Sequence, residues 1–448
     1  MNTPGTRTPS GSASLADWLD YQLRVHPRSI ELGLDRVAEV WRRLGAPVPA
    51  PVIITIGGTN GKGSTVAFLE AMLAADGKRV GAFTSPHLLH YNERVRVAGI
   101  DVEDAVFIDA FQRIESARAA DSVEPVALTY FEFGTLAALW IFAHAGLDVA
   151  LLEVGLGGRL DAVNIVDADA AIVTTVDLDH QDWLGNDRET IGHEKAGIFR
   201  RGRSAIIGER DPPLSSLAHA RDIGAELRLL GRDFQFERTD QCRWRWRADG
   251  VALVLPLPRL AAPCQIANAS AAIAALYSLR ARLGWNPQAI AEGIARARIA
   301  ARLQIFSATT GVPELVVDVA HNPQAARVLG EWLRSRPIRE RTLAVFGALG
   351  DKDVGGVVDA LASEFDAWFL AGLDLDSPRG LDAVSLLALV SAAAPIARTA
   401  SSTHANVAAA LAAAFKHAQS GDRILAFGSF FVAAAALDFA QQRGLRDA

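Results

Sequence analysis

The chain has 448 residues, half of them hydrophobic and 21% charged, which is enough for two or three buried cores and excludes collagen-like, low-complexity and wholly disordered classes. Its 45 basic residues against 51 acidic ones leave a net charge of −6, so no global basic field grips nucleic acid or an anionic membrane, and the expected ligand is a small molecule. The two cysteines, Cys242 and Cys264, make neither a disulfide framework nor a zinc-binding spacing, which fits a reducing cytoplasm.

A polar leader over residues 1–14 lacks the apolar centre of a secretory signal and is expected to fray. Leu15–Leu44 carries apolar residues every three or four positions and stops at Gly45-Ala-Pro, predicting helices. Short apolar runs at Val52–Ile56, Val80–Phe83, Val149–Val154, Ala170–Val176 and Ser204–Ile207 read as buried parallel strands, separated by Ala/Leu-rich helical patterns. This alternation predicts a doubly wound α/β domain. Phe234–Leu255 interrupts it by alternating Trp244 and Trp246 with charged residues, an antiparallel excursion, before Ala261–Leu283 returns as a helix. The pattern resets across Arg296–Gln304, and further strands are expected at Leu315–Val319, Leu343–Phe346, Ala367–Ala371 and Ile424–Phe427. The domain expectation is therefore a P-loop α/β domain with leading helices over 1–299 and a smaller Rossmann-like α/β domain over 300–448. The longest apolar run, Leu425–Leu437, is broken by Gly428 and Ser429 and is too short to span a bilayer, so a soluble protein without a membrane partner is expected.

The sharpest motif is Gly57-Gly58-Thr59-Asn60-Gly61-Lys62-Gly63-Ser64-Thr65, placed between a strand and an amphipathic helix running to about Ala75. Glycines there let backbone N–H groups turn around an anion, the helix start favours negative charge, Lys62 can neutralise outer phosphates, and Ser64 or Thr65 can reach magnesium. ATP is the expected ligand. The common form places Ser or Thr directly after the lysine, whereas Gly63 intervenes here; the competing reading is a structural turn with a solvated lysine. Lysine is scarce, five against forty arginines, and Lys195 sits in His193-Glu194-Lys195-Ala196-Gly197-Ile198, a short helix in which a surface ion pair is the plain alternative. Glu153 lies inside an otherwise apolar strand, where an unpaired carboxylate is costly to bury and calls for a cation. Asp177-Leu178-Asp179-His180-Gln181-Asp182 and Thr84-Ser85-Pro86-His87 also follow strands, at the edge where α/β sheets place ligands. Magnesium prefers oxygen donors and keeps water and phosphate in its shell, which suits Glu153 with a hydroxyl; His180 is as readily a structural imidazole, and Ser85-Pro86 as readily a turn. In the second series, Asn322 and Pro323 read as the cap and first position of a helix, which leaves Asp318 and His321 at a strand end without a capping role.

Taken in order, Gly58-Thr-Asn-Gly-Lys-Gly-Ser, Ser85-Pro-His, Leu128-Thr-Tyr-Phe-Glu, Leu152-Glu-Val-Gly-Leu-Gly-Gly-Arg-Leu-Asp, Leu178-Asp-His, Glu194-Lys-Ala-Gly-Ile, Asp318-Val-Ala-His-Asn-Pro and Phe427-Gly-Ser resemble the folylpolyglutamate synthase and dihydrofolate synthase family, within the Mur-type ATP-dependent ligases. So does the leader Tyr21-Gln-Leu-Arg-Val-His-Pro-Arg-Ser-Ile-Glu-Leu-Gly-Leu, and the likeness covers nearly the whole chain. The resemblance implies a Mur ligase-like fold and Mg2+ held at Ser85, Glu153 and His180, with Ser64 as a further hydroxyl. It implies an N6-carboxylysine at Lys195, which needs a locally neutral amine in a shielded, cation-rich place. It also implies ATP contacts at Thr59–Thr65, Asn268, Arg302, Asp318 and His321, with the nucleotide lying between the two domains. Acceptor contacts are implied around Thr129, Phe131, Arg159 and Asp161, Phe131 matching a pterin-stacking position with an ordinary core aromatic as its alternative. The family commonly has Gly before the interdomain arginine, whereas Ala301 precedes Arg302 here, which would be strained at positive φ.

The implied reaction is ATP-dependent addition of L-glutamate to dihydropteroate and to reduced folates. The acid attacks the γ-phosphoryl group to give an acyl phosphate and ADP, and the glutamate amine then displaces phosphate. Lys62, Lys195, His180 and His321 are the expected catalytic set, with His321 and Ser429 orienting glutamate. A bifunctional enzyme is the first expectation and a monofunctional polyglutamylating enzyme the second. A P-loop regulator without a covalent product is the alternative of another class, and a cell-wall Mur ligase fits less because the P-loop begins by Gly57. A cytoplasmic monomer is expected.

Overall fold

The structure is a computed structural model and describes residues 8–447 except 10, 11, 27, 29, 121–124, 308–311, 339 and 394–400. Most of the expected leader thus lies outside the described residues. Two compact units emerge, one running to Leu257 and resuming over Ile266–Ala297, the other comprising Pro258–Gln265 and the chain from Arg298 onward. The segment Pro258–Gln265, read with the first domain from sequence, groups with the second unit.

In the first unit the strands are β1 (Val52–Gly57), β2 (Val80–Phe83), β3 (Val95–Val97), β4 (Ile100–Asp101), β5 (Val149–Glu153), β6 (Ala170–Val173), β7 (Ser204–Ile207) and β8 (Glu226–Leu229). Among the described residues they form one sheet in the order β4-β3-β2-β5-β1-β6-β7-β8. The run from β2 to β8 is parallel, and β3 and β4 add an antiparallel edge. All residues of β1, β2, β5, β6 and β7 are buried, the burial on both faces that continuous apolar strands require. Helices Leu15–Val25 and Asp35–Arg43 break the expected Leu15–Leu44 stretch in two, and both bury an aromatic face through Trp18, Tyr21 and Trp41. The antiparallel excursion is a three-stranded sheet of β9 (Phe234–Arg238), β10 (Arg243–Ala248) and β11 (Val251–Pro256), in which Trp244 and Trp246 point into the protein and the alternate arginines outward. The helix expected at Ala261–Leu283 begins at Gln265 and is interrupted between Ser278 and Arg280.

The second unit holds β12 (Gln304–Ser307), β13 (Glu314–Val317), β14 (Thr342–Phe346), β15 (Ala367–Ala371), β16 (Ser401–His404), β17 (Arg423–Phe427) and β18 (Arg446–Asp447), ordered β16-β15-β14-β17-β13-β12-β18. The five strands from β16 to β13 are parallel, with β12 and β18 antiparallel at the other edge. Its core packs Trp332, Leu333, Phe346, Trp368 and Phe427 beneath the helices Pro323–Ser335 and Val354–Leu361. No described helix is long and apolar enough to cross a membrane.

Candidate active site

The strand order of the first sheet decides which residues meet. Because β2, β5, β1 and β6 are neighbours, Ser85, Glu153, the glycine-rich loop and the Asp177–His180 segment stand in a row along one carboxyl edge. In β1 and β5, Ile56 faces Glu153 one residue before the loop begins, and Ser85 N–H donates to Glu153 Oε2 at 3.2 Å. Glu153 is buried.

The loop itself depends on glycine at two places. Gly58 has φ of 139° and a Cβ there would stand 1.9 Å from Thr174 Oγ1; Gly61 has φ of 88° and a Cβ there would stand 2.6 Å from Asn268 Oδ1. Both positive φ values and both close approaches exclude a side chain. The buried Asn268 thus backs the loop directly. The loop is tied to the next strand end: Thr59 N–H donates to Thr175 O at 2.7 Å, Thr59 Oγ1 to Asp177 O at 3.0 Å, Asn60 N–H to Thr175 Oγ1 at 3.2 Å, and Thr174 Oγ1 to Asn60 O at 2.6 Å. From Gly61 the helix Lys62–Ala75 departs with Gly63, Ser64 and Thr65 buried in its first turn, Thr65 Oγ1 donating back to Gly61 O at 2.9 Å. The Lys62 ammonium is held on the loop by the carbonyls of Gly58 and Thr59, at 3.0 and 3.2 Å.

Lys195 lies on the helix Arg188–Ala196 and is 4% exposed. The loop after Glu153 packs on this helix so closely that a Cβ on Gly158 would meet the carbonyls of Glu194 and Lys195 at 2.8 and 2.9 Å. Burial first, and then the Lys62 charge, push the Lys195 amine down to about 7 against the pull of Asp179, Asp161 and Glu209. Burial raises Asp161 to about 6 although it accepts from Leu156 N–H at 2.8 Å and Val163 N–H at 3.1 Å and feels Lys62. Arg159 reaches Glu194 at 2.9 Å and is half-exposed. His180 stands at φ of 53° before the short helix Gln181–Leu184, its N–H bonded to Asp179 Oδ1 at 2.9 Å. Thr129 caps the helix Tyr130–His144 in a capping box with Glu132, and the Phe131 ring lies on Gly155 and 5.9 Å from the Phe83 ring. Among the described residues no three His, Cys, Asp or Glu side chains converge as a metal cluster. Along this edge Ser85 and Glu153 offer hard oxygen donors of the kind magnesium takes, and His180 offers a softer imidazole.

In the second unit Asp318 accepts from Leu303 N–H and Ala320 N–H, both at 2.7 Å, and burial raises its pKa. Ala301 and Leu303 take φ of 55° and 49°, so the alanine before Arg302 does occupy the left-handed region. Gln304 Oε1 accepts from Ala301 N–H at 3.0 Å. The Arg302 guanidinium stands 5.5 Å from the Phe430 ring, and the His321 ring 6.2 Å from it, His321 Nδ1 lying 2.8 Å from Val319 O. Ser429 caps the helix Phe430–Gln442 by accepting from Val432 N–H at 3.1 Å, and Asn322 caps the helix begun by Pro323 as its sequence predicts.

Compared with proteins of known activity, the chain is 44% identical over 98% of its length to the dihydrofolate synthase/folylpolyglutamate synthase of Escherichia coli K12, and covers 98% of that protein. The chain belongs to the dihydrofolate synthase/folylpolyglutamate synthase family. Its residues 56–276 match the Mur ligase middle domain and 301–430 the Mur ligase glutamate ligase domain. Among solved structures, E. coli FolC in complex with DHPP and ADP superposes with a TM-score of 0.89 at 43% identity, covering 98% of this chain and all of that one. A bifunctional folylpolyglutamate synthase/dihydrofolate synthase with Mn, AMPPNP and L-glutamate bound gives 0.87 at 42%, covering 97% of this chain and all of that one. A member of this family is an ATP-dependent ligase, and its α/β fold class is the one expected from sequence.

Four contributors escaped the sequence reading. Glu209, raised to about 7 by burial, accepts Val176 N–H at 3.0 Å, while Arg188 Nε donates to Val176 O at 2.9 Å and its Nη2 to Glu209 at 3.3 Å. This pair clamps the residue before Asp177 to the helix that carries Lys195. Thr174 and Thr175, read as strand, lock the glycine-rich loop instead. A carboxylate one glycine past the apolar strand Ser204–Ile207 was the available signal for Glu209.

Proposed function

We propose that this chain joins L-glutamate to dihydropteroate, forming dihydrofolate, and to the γ-carboxyl of tetrahydrofolate glutamates, each time converting ATP to ADP and phosphate. The observation that carries this reading is the phosphate cradle on the same sheet edge as the buried Glu153, in a chain collinear with bifunctional relatives. A carboxylate oxygen of the acceptor attacks the γ-phosphorus and ADP leaves; the neutral amine of glutamate attacks the acyl carbon, phosphate leaves, and the nitrogen loses a proton. Thr59–Thr65 cradle the phosphates and Lys62 offsets charge on the transferring oxygens. Ser85, Glu153, His180 and Ser64 are the residues to hold Mg2+, which when bound polarises the phosphoryl oxygens. Lys195 serves as an N6-carboxylysine: an amine that is half neutral near pH 7 attacks the carbon of CO2 and releases a proton, and the resulting carbamate is an anion beside Lys62. Asn268, Arg302, Asp318 and His321 contact the nucleotide, Thr129, Phe131, Arg159 and Asp161 the acceptor, and His321 with Ser429 glutamate. On the family resemblance the enzyme works as a monomer, and its sparse cysteines suit the cytoplasm.

Acceptor-dependent ADP release tests the reading. Release with glutamate plus either dihydropteroate or tetrahydrofolate is expected. Release with tetrahydrofolate alone makes the enzyme a monofunctional folylpolyglutamate synthase, and release indifferent to acceptor and glutamate sinks ligation.

A further inference from the structure

Arg94 is 8% exposed at the end of the short helix Tyr91–Arg94, yet no carboxylate pairs with it among the described residues. Its Nε donates to His87 Nδ1 at 2.9 Å, and its guanidinium stands 5.3 Å from the Tyr91 ring and 5.5 Å from the Tyr130 ring. Neither Nη1 nor Nη2 hydrogen-bonds to any described residue. The adjacent carboxylate, Glu93, is engaged elsewhere: it accepts from the N–H groups of Leu88, Leu89 and His90, each at 2.7 Å. The residue is buried as a whole, but its Nη ends are not sealed off, so a ligand can reach them, and the ring contacts supply no anion. His87 supplies no anion either: its Nδ1 takes the Arg94 Nε hydrogen and leaves both Nη groups unengaged. What remains is the two-pronged end of an arginine, the geometry that recognises a carboxylate bidentately.

Its place in the chain indicates whose carboxylate. His87 lies two residues past Ser85, and Tyr130 precedes Phe131. The other arginines near these elements are occupied by carboxylates, Arg36 by Glu31 and Glu132, Arg96 by Glu70 and Arg159 by Glu194. Dihydropteroate has one carboxylate, which is consumed as the nucleophile. A folate that already bears glutamate reacts through its γ-carboxylate and brings a second, the α-carboxylate, that needs a partner. We propose that Arg94, held by His87 and walled by Tyr91 and Tyr130, binds the α-carboxylate of glutamate-bearing acceptors, and so separates the two substrate classes. This rests on the bifunctional reading above.

The test measures kcat and KM for tetrahydrofolate monoglutamate and for dihydropteroate in wild type and in Arg94→Gln. Loss of a charged, bidentate contact should shift the ratio of the two kcat/KM values toward dihydropteroate by roughly tenfold or more, through KM rather than kcat. A second measurement needs no variant: wild type should discriminate by a similar factor against a tetrahydrofolate analogue in which γ-aminobutyrate replaces glutamate, while Arg94→Gln should not. Equal loss on both acceptors marks Arg94 as a structural strut and overturns the proposal, as does a wild type indifferent to the missing α-carboxylate. If Arg94→Gln does not fold, the analogue measurement on wild type decides. A wild type inactive with both acceptors overturns the bifunctional reading first, and this one with it.

Discussion

The glycine-rich loop of the first unit and the Ala301–Leu303 turn of the second both bring backbone into the left-handed region beside a strand end, but they sustain it differently. In the first, φ of 139° and 88° falls on Gly58 and Gly61, which adopt it freely. In the second, φ of 55° and 49° falls on Ala301 and Leu303, residues that oppose it by about 1–2 kcal/mol each. There the turn is enforced from outside, by Asp318 on Leu303 N–H and Gln304 on Ala301 N–H. A loop shaped by residue type keeps its form when a neighbouring side chain is lost; a turn shaped by side chains does not.

The largest effect should come from the loop, and on rate alone. Lys62→Ala should lower acceptor-dependent ADP release by roughly 10²–10³-fold, with the unfolding midpoint nearly unmoved, because the glycines hold the loop; near-normal turnover would remove Lys62 from the phosphates. Asp318→Ala should do the reverse of that separation, lowering nucleotide affinity and stability together. Stripping the acceptor from two backbone N–H groups costs about 2 kcal/mol in urea unfolding, and an unchanged midpoint would mean that the turn holds itself. Lys195 sharpens the first side of the contrast. With its amine at about 7, the neutral form that adds CO2 falls about fivefold between pH 7 and 6 and about tenfold for each unit below. A carbamate carbon resonance after labelling with ¹³C-bicarbonate should fade on acidification from pH 7 to 6 and be missing in Lys195→Arg. The smallest effect is expected of Ala301→Gly: relief of left-handed strain is largely offset by the flexibility of glycine in the unfolded chain, for a net gain of about 0.5 kcal/mol. A loss of stability instead would show that the alanine methyl packs better than its backbone is strained.

Much of this was legible in the sequence, for a physical reason that also sets the limit. Val80–Phe83, Ser204–Ile207 and Ala367–Ala371 were read to the residue because fully buried parallel strands are continuous apolar runs with abrupt ends. The strand expected to reach Val176 stops at Val173, because Thr174 and Thr175 spend their hydroxyls on Asn60 and Val176 gives its N–H to Glu209. Edge strands β3, β4 and β18 are two or three residues long and carry no periodicity to read. In the site, the residues singled out from sequence were those with a motif of their own, the loop, Glu153 and Lys195. Arg188 and Glu209 act on Val176 from positions distant in sequence, and Arg94 stands out only once its Nη groups are seen to lack a carboxylate among the described residues. The alanine before Arg302 is the instructive middle case: its strain was anticipated from one missing glycine, but the Asp318 and Gln304 side chains that counter it were not.

The return of Pro258–Gln265 to the second unit means that the polypeptide crosses from one unit to the other three times, after Leu257, after Gln265 and after Ala297. A fragment expressed up to residue 299 would therefore carry an eight-residue strap whose Ala262 has lost the core it leans on. Dissecting the two halves genetically would need that strap transplanted across a new linker, and a domain exchange with a relative has three junctions to match rather than one.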